Sequence, residues 1–600
     1  MKQSDPPAGE SRRAQRRFGL AGRRGERRAT TSVALISAVL MVSACASVPQ
    51  RPSVVGSDGA AAGPAPGRAH TVVFLTHVEP NTLSQHRAFT GTGATAADAI
   101  SLFNAALFLD DSAGVAHPAL AARAPTLGDD SWVVNADGTM DTTYALRPGL
   151  VWHDGASFTA RDMVLSWQVA RNPDFGVANL LPTKLMREVE ALDDQTVRVH
   201  WSETYPQADA LKGRDWAPLP DHLLGQAFAS QSSQAFAANA YWTQAYVGLG
   251  PFRLDRWDPG SALDGSAFDG YALGRPKIQR IQVRFAPDPN TALASLLSGD
   301  ADMAIDFALG FDQGELLRKR WAATSGGRIL LDPAKLRYLQ IQLRPAYANP
   351  PQLLDLRVRQ ALTHALDRQS LIDALLDGQG QPAEAMAPPL TDYAAEVDRA
   401  ITRYPYDVSR ADQLLRDAGL IRASTGPYVT ATGATFALEL QAAAGGQEQQ
   451  EHAIVSDSWR RAGIDVQSHM LSTTEEADRQ ARSTFPAVGS ANTGLEEQTL
   501  FLKLFGPNIA TADRQWAGSN RGGWSNPVYD RFYERMTSSL DRSERVDAIV
   551  QAARIVSEEV PVIPMYNNFV VEAHTAALHG PQAYAPGGSA TWDVQNWEYR

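Results

Sequence analysis

The sequence predicts an α/β protein with more than one domain. Strand-like apolar runs alternate with helical patterns along the chain, and such alternation is typical of α/β architecture. The chain has 600 residues, which is more than one core normally organises, because domains usually take roughly 100–200 residues. The composition, 44% hydrophobic and 20% charged, is that of a folded globular chain rather than a disordered one.

Residues 1–44 are predicted to be a secretory signal. An arginine-rich region precedes an uncharged, largely apolar stretch from Ala29 to Ala44, which is the order found in signal peptides. The next residue, Cys45, is the only cysteine in the chain. The ending Val42–Cys45 resembles the bacterial lipobox, which implies acyl chains on Cys45 and anchoring to a membrane. A signal anchor with an incidental cysteine and a twin-arginine signal at Arg16–Arg17 are the alternatives.

A flexible tether is predicted to follow at residues 45–69. Its Ala, Gly, Pro and Ser residues show no apolar period. Such a segment reaches about 25–30 Å. The formal net charge of the chain is −11 although its N-terminal region is basic, so the remaining body is strongly acidic. An acidic body repels phosphate backbones, and nucleic-acid binding is therefore not expected.

The body begins with strand signals. The apolar run Thr71–Leu75 predicts a buried strand. Residues 132–146 predict two strands that turn at Asp137-Gly138, a dipeptide that favours hairpins. Further strand-like runs occur at Ile281–Phe285, Tyr338–Leu343 and Phe436–Leu440.

Two helices have clear boundaries. The first is expected to begin after Thr159, because Thr159 and Asp162 form a capping-box pattern. The second is expected from about Leu356 to Asp377, where apolar residues keep a helical spacing. Its signals are Asp355 as N-cap and Gly378 just beyond the C-terminus.

No local motif for catalysis, a cofactor or a metal is present. The pairs Gly91/Gly93 and Gly248/Gly250 lack the third glycine of a dinucleotide-binding fingerprint, and no nucleophile elbow, Walker loop or HExxH helix occurs. Glu448, Glu451 and His452 lie at helical spacing, but their Glu- and Gln-rich surroundings favour a solvated helix face. We therefore expect no enzyme activity, no cofactor and no metal site.

Several segments together resemble the family 5 extracellular solute-binding proteins, the dipeptide-, oligopeptide- and nickel-binding lipoproteins of ABC importers. Tyr144–Gly155 with Phe158–Val164 is similar to the hallmark of that family. Further similar segments follow in the family's order: 118–121, 248–252, 298–302, 356–368, 525–530 and 559–564.

The resemblance implies a type II periplasmic-binding-protein-like clamshell with two hinged lobes. Lobe I is expected at 70–287 and 510–600, and lobe II at 288–509. A ligand that bridges both lobes would favour the closed form, which then docks on a permease in the cytoplasmic membrane. This implies a monomeric, extracytoplasmic receptor for a peptide or peptide-like solute. The alternatives are a lipid-anchored sensor without a transport role and a receptor for a metal chelate or a sugar.

The candidate ligand-binding residues come from three segments. Peptide-binding relatives use an Asp to pair with the ligand's ammonium group, and the resemblance places Gly494 at that position. Glu496 and Glu497 are the candidates to replace the missing Asp, because a carboxylate can form a charge-assisted hydrogen bond to ammonium. The candidates in this segment are Asn492, Glu496 and Glu497; those in the loop after the first strand are His77, Glu79 and Asn81; and those near the return crossing are Trp516, Arg521 and Trp524.

Overall fold

The computed structural model describes residues 70–90 and 96–600. The predicted signal, Cys45 and the tether lie outside these residues. The strands are β1 Thr71–Thr76, β2 Phe108–Asp110, β3 Ala116–Pro118, β4 Trp132–Val134, β5 Met140–Ala145, β6 Met186–Asp193, β7 Thr196–Trp201, β8 Phe252–Asp258, β9 Ala262–Ala267, β10 Arg280–Phe285, β11 Met303–Leu309, β12 Gly327–Ile341, β13 Ala437–Ala443, β14 Asp465–Leu471, β15 Val488–Gly494, β16 Val562–Thr575, β17 Leu578–His579 and β18 Glu598–Tyr599.

The helices surround these strands. They are α1 Arg87–Thr90, α2 Ala97–Ser101, α3 Ala160–Arg171, α4 Gly213–Trp216, α5 Asp221–Ser230, α6 Ser233–Ala237, α7 Pro289–Ser298, α8 Phe311–Ala322, α9 Leu356–His364, α10 Arg368–Leu375, α11 Ala394–Ala400, α12 Val408–Asp417, α13 Gly446–Arg461, α14 Thr473–Ala477, α15 Glu497–Leu502, α16 Pro527–Ser538 and α17 Arg542–Glu559. None of the helices in the described residues is both long and apolar enough to cross a bilayer.

A ten-stranded mixed sheet runs through the molecule in the order β14-β13-β15-β12-β16-β11-β1-β10-β9-β8. We call the part built on β1 and β8–β11, together with the segment between β1 and β8 that shares its core, the first half, and the part built on β13–β15 the second half. The two long strands β12 and β16 are antiparallel neighbours, and they also pair with β15 and β11 respectively. The chain therefore passes between the two halves along β12 and returns along β16.

Each half has its own core. In the first half, Phe74 of β1 is fully buried and contacts Trp597 near the C-terminus, with ring centroids 6.2 Å apart. In the second half, Leu339 of β12 is buried with Leu362 of α9 and Trp459 of α13. Two separate cores allow the halves to act as separate bodies.

The local sequence signals near the start of the body are confirmed. The first predicted strand is β1, and the predicted hairpin is the antiparallel pair β4 and β5, turning at Gly138 with a φ of 86°. Helix α3 begins after Thr159, whose backbone N–H donates to the Asp162 carboxylate at 2.7 Å. These elements form because each signal satisfies backbone groups within a few residues.

The single helix expected from Leu356 to Asp377 is wrong, because the structure has α9 and α10 with a break between them. Asp367 causes the break: its carboxylate accepts from Ser370 N at 3.1 Å and so begins a new helix. Its own N–H donates to Ser458 Oγ at 2.9 Å rather than continuing α9. The predicted signals at Asp355 and Gly378 are confirmed at the outer ends.

The predicted boundaries of the lobes, at 287/288 and 509/510, stay predictions. Both long strands lie further along the chain than these boundaries. Helices α16 and α17 share a core with β12 of the second half, through buried residues such as Leu336, Tyr529 and Ile549. The strand pairing thus favours crossings at β12 and β16.

Candidate ligand-binding site

The two halves meet at the start of α15. Glu496 is the N-cap of α15, and its carboxylate accepts from Arg214 Nη1 of the first half at 2.8 Å. Gly587, in the C-terminal segment, lies against the same side chain, since a Cβ on Gly587 would come within 3.0 Å of Glu496 Cγ. Of the predicted ligand-binding residues, Glu496 is the one placed directly between the halves.

The other two candidates in this segment have different surroundings. Glu497 is the first residue of α15, and its carboxylate accepts from the hydroxyl of Tyr393. Asn492 is exposed on β15 opposite Arg337 of β12. Neither side chain is held by the first half, so both can accept hydrogen bonds from a ligand without breaking a contact between the halves.

The loop after β1 contains His77, Glu79 and Asn81. Glu79 is fully engaged within the first half, because its two oxygens accept from Trp257 Nε1 at 2.7 Å and from Gly260 N at 2.9 Å. Asn81 is exposed. His77 Nδ1 is buried, and within the described chain it has no hydrogen-bond partner. His77 and Asn81 therefore have free polar atoms, whereas Glu79 serves to hold the β8–β9 turn.

The three candidate residues in the segment before α16 have different surroundings. Trp516 contacts Arg344, with 5.8 Å from the guanidinium carbon to the ring centroid. Trp524 is buried, and its indole N–H donates to Glu559 at 2.8 Å. Arg521 lines a small cavity together with Trp524, on the face of β12 that packs against α15. All three belong to the second half and are not brought together with His77 or Asn81.

A cluster of buried acids in the first half is not predicted by the sequence patterns above. Asp98, Asp306, Asp332 and Glu572 are each at most 5% exposed. Burial raises the pKa of Asp98 and of Asp332 to about 6. Burial, followed by the charge of Asp98, raises the pKa of Asp306 and of Glu572 well above the usual range. An acid within an apolar strand run, as at Asp306 and Glu572, is the signal that could have identified them.

The C-terminal segment covers this cluster. Asp98 accepts from Ser589 Oγ at 2.6 Å and from Ala590 N at 2.9 Å. Tyr584 donates its N–H to Asp332 at 2.9 Å and its hydroxyl to Glu572 at 3.2 Å. One oxygen of Asp332 and one of Glu572 are left buried without a partner in the described residues. The segment thus connects the acids to Gly587, which touches Glu496 across the halves.

The backbone beside the acid cluster is strained. Asp306 and Phe307 have φ values of 50° and 61°, in the left-handed region that residues with a Cβ rarely adopt. The distortion interrupts the pairing of β11 with β16 and lets Asp306 accept from the N–H groups of Asp98 and Ala99, at 3.0 and 2.8 Å. It also places the Phe307 ring 4.5 Å from Lys335 Nζ of β12. Strain of this kind tends to occur at functional positions.

The solvated face expected for Glu448, Glu451 and His452 is wrong for two of the three. Glu451 is 1% and His452 6% exposed. Glu451 accepts from Arg337 Nε and Nη2, each at 2.8 Å, and Arg337 Nη1 also donates to Glu448 at 3.0 Å. The bidentate pair fastens α13 to β12 across the second half. No group of three or more His, Cys, Asp or Glu in the part of the chain described is arranged to hold a metal.

Comparisons with known proteins agree with this architecture. The profile of the family described as bacterial extracellular solute-binding proteins, family 5 Middle, matches residues 122–502. The chain is 26% identical over 340 residues to the oligopeptide-binding protein AppA of Bacillus subtilis, a match that covers 56% of this chain and 59% of AppA. It is also 26% identical over 462 residues to the glutathione-binding protein GsiB of Pectobacterium atrosepticum, covering 75% and 82% of the two chains.

A solved structure has the same fold. NikZ of Campylobacter jejuni, in complex with Ni(L-His), superposes with a TM-score of 0.70 at 20% identity, over 88% of this chain and 99% of NikZ. The likeness confirms the predicted two-lobed α/β fold of periplasmic binding proteins. The AppA match spans less than two thirds of that relative, whereas the structural match spans nearly all of NikZ.

Proposed function

The chain belongs to the bacterial extracellular solute-binding proteins of family 5, and from this membership we propose that it is the substrate-binding lipoprotein of an ABC importer. It captures a peptide or peptide-like solute between its lobes and delivers it to a membrane permease. The observation that carries the proposal is the family match over residues 122–502. Capture and release make and break no covalent bond, so we propose a binding protein and not an enzyme.

The long strands β12 and β16 are the proposed hinge. They are the segments on which the chain passes between the halves, and their pairing shifts register between Pro333 and Lys335 and between Arg337 and Tyr338. Such irregularities bend strands and interrupt regular pairing. A solute that contacts both halves stabilises the closed form by contacts that the open form lacks, and so shifts the population towards closure.

The proposed cleft lies around Glu496. Opening the halves would separate Glu496 from Arg214 and leave its carboxylate free to bind a cationic group of the solute. Asn492 and Glu497 lie on the same side of the cleft, on β15 and α15. The names of AppA and GsiB, which concern an oligopeptide and glutathione, support a peptide-like solute for this chain as well.

A lipid on Cys45 is proposed to hold the protein outside the cytoplasmic membrane. The lipobox-like ending Val42–Cys45 carries this part of the proposal. A tether over residues 46–69, with a reach of about 25–30 Å, would leave the lobes free to move beside a permease. The protein would work as a monomer at the cell surface or in the periplasm.

The identity of the solute can be tested on the purified protein. Native mass spectrometry detects a ligand that copurifies, and thermal-shift measurements then compare di- to nonapeptides and glutathione with sugars and metal chelates. A ligand at 100 times its Kd stabilises the protein by about 2.7 kcal/mol. Stabilisation by peptides supports the proposal, and a panel in which no peptide gives a shift would refute a peptide cargo.

Two alternative functions predict different results in these binding measurements and in an ATPase assay. A metal chelate as solute is favoured by the structure of NikZ, which is in complex with Ni(L-His), and this function predicts a thermal shift with chelates alone. A lipid-anchored sensor would bind solute but would not stimulate the ATPase of a reconstituted permease. Stimulation of the ATPase by the loaded protein, and not by the empty one, is the result expected of an importer receptor.

A further inference from the structure

A small cavity in the second half contains two positively charged side chains. It lies between β12, the C-terminal end of α15 and the segment before α16. The polar and aromatic side chains that line it are Tyr338, Gln340, Lys503, Ser519, Arg521 and Trp524. No carboxylate is among the residues that line this cavity.

Among the residues that the structure describes, none forms an ion pair with the positive charges in this cavity. Across residues 70–90 and 96–600, neither Lys503 Nζ nor the Arg521 guanidinium takes part in an ion pair or a hydrogen bond with another side chain. Arg482 adds a third charge that acts on Arg521, and its Nε is buried without a partner in the described chain. Glu496 acts on Lys503, but its carboxylate is paired with Arg214.

The burial of these cations close to one another is unfavourable for the folded protein. Burial, together with the charge of Arg521, lowers the pKa of Lys503 to about 8. Burial and the charge of Arg482 also lower the pKa of Arg521. Partly buried charges are normally paired, because desolvation without a partner is costly. In a protein whose net charge is −11, a pocket of cations without an acid is the opposite of the average surface.

The same cavity also offers neutral donors. Tyr338 and Gln340 are two residues apart on β12 and therefore lie on one face of the strand. Both are buried, at 4% and 8% exposure, and both line the cavity. A hydroxyl, a carboxamide, an ammonium and a guanidinium belong to residues that line one small cavity, and together they are donors suited to an anion.

We propose that this cavity is a binding site for a small monatomic anion, chloride or another halide. Lys503 and Arg521 supply the charge, and Tyr338 and Gln340 supply hydrogen bonds. The site is separate from the proposed solute cleft, because Glu496 and Lys503 flank the six-residue α15 at its two ends, roughly 10 Å apart at 1.5 Å per residue. The anion offsets the repulsion between the cations and stabilises the second half.

The test is thermal unfolding at constant ionic strength, with chloride replacing gluconate, a much larger anion that does not fit the small cavity. The variants are Lys503→Met, Arg521→Met and the double variant. Lys319→Met, at an exposed position of α8, is the matched control. We expect the melting temperature of the wild type and of the control to rise saturably with the small anion, and that of the double variant to stay constant.

We also expect the difference in melting temperature between the double variant and the wild type to change sign with the anion. In gluconate the double variant should melt above the wild type, because the repulsion is gone, and in saturating chloride it should melt below it. The absence of a saturable rise in the wild type, or a full rise in the double variant, would overturn the proposal. If the double variant does not fold, crystals of the wild type soaked in bromide decide: an anomalous peak between Lys503 and Arg521 is expected, and an empty cavity overturns it.

A carboxylate of the solute has the same chemistry as an inorganic anion, and one further comparison separates the two sources. A peptide with a free C-terminus and its amidated form are each added to the chloride titration. We expect neither to change the chloride response. Suppression of the response by the free acid alone would assign the cavity to the solute and overturn an inorganic occupant. None of these outcomes depends on which solute the cleft takes.

Discussion

Removal of Arg337 should strongly destabilise the second half. Arg337 is 4% and Glu451 1% exposed, and two hydrogen bonds of 2.8 Å join them. The variant Arg337→Met leaves the Glu451 carboxylate buried without its cation, a situation that costs about 3–5 kcal/mol. The hydroxyls of Tyr566 and Ser490 still donate to Glu451, at 2.7 and 2.6 Å, so we expect the lower end, about 3 kcal/mol.

The assay is urea unfolding followed by fluorescence, with the double variant Arg337→Met/Glu451→Leu completing a cycle. Replacement of both partners removes the stranded charge, so the double variant should recover most of the stability lost by Arg337→Met. The matched control is Arg554→Met, because Arg554 pairs with Glu558 at 2.7 Å on an exposed helix face. The control should lose less than about 0.5 kcal/mol. A loss below about 1 kcal/mol in Arg337→Met, or a double variant less stable than either single variant, would refute the reasoning.

Three further predictions concern pH, the lipid anchor and the contact between the halves. Burial raises the pKa of Asp332 from 3.8 to about 6, so its contribution to stability is present below pH 4 and lost as the pH rises towards 6. The free energy of unfolding of Asp332→Asn should therefore gain up to about 3 kcal/mol relative to that of the wild type between pH 4 and pH 8. Equal pH profiles of stability for the two proteins would contradict this. Cys45→Ser should move the protein from the membrane to the soluble fraction and abolish labelling with a fatty acid, whereas continued labelling would exclude Cys45 as the modified residue. Gly587→Val should weaken solute binding measured by calorimetry, because a Cβ there lies 3.0 Å from Glu496 Cγ and Gly587 has a φ of 84°. The same substitution at Gly128, where nothing lies within 4 Å of a Cβ, should leave the affinity unchanged. Equal affinities of the two variants would argue against closure at Gly587.

The elements that the sequence predicts well depend on neighbouring residues. The β4–β5 hairpin needs only its turn dipeptide, and α3 needs only Thr159 and Asp162, which satisfy the first backbone groups of the helix. The family resemblance also rests on short segments, and it predicts the two-lobed fold correctly. Local signals of this kind do not depend on which distant segment packs nearby.

The buried charges are not predictable in the same way. Glu451 lies in a helix rich in Glu and Gln, and nothing nearby shows that Arg337, 114 residues earlier, buries it. Asp98 and Ser589 are 491 residues apart and meet because the C-terminal segment returns to α2. The pairing of such groups is decided by tertiary packing, since a periodic pattern records polarity but not partners.

The central claim is that two lobes close over a solute, and a distance measured across the cleft tests it most directly. A soluble form that begins after Cys45 contains no cysteine, so Ala229→Cys in α5 and Ser409→Cys in α12, both exposed positions, can be labelled uniquely for single-molecule FRET. The solute identified by mass spectrometry is then titrated. We expect a second distance population to appear and to grow with the bound fraction. A single, unchanged population while calorimetry shows full occupancy would contradict closure of the lobes.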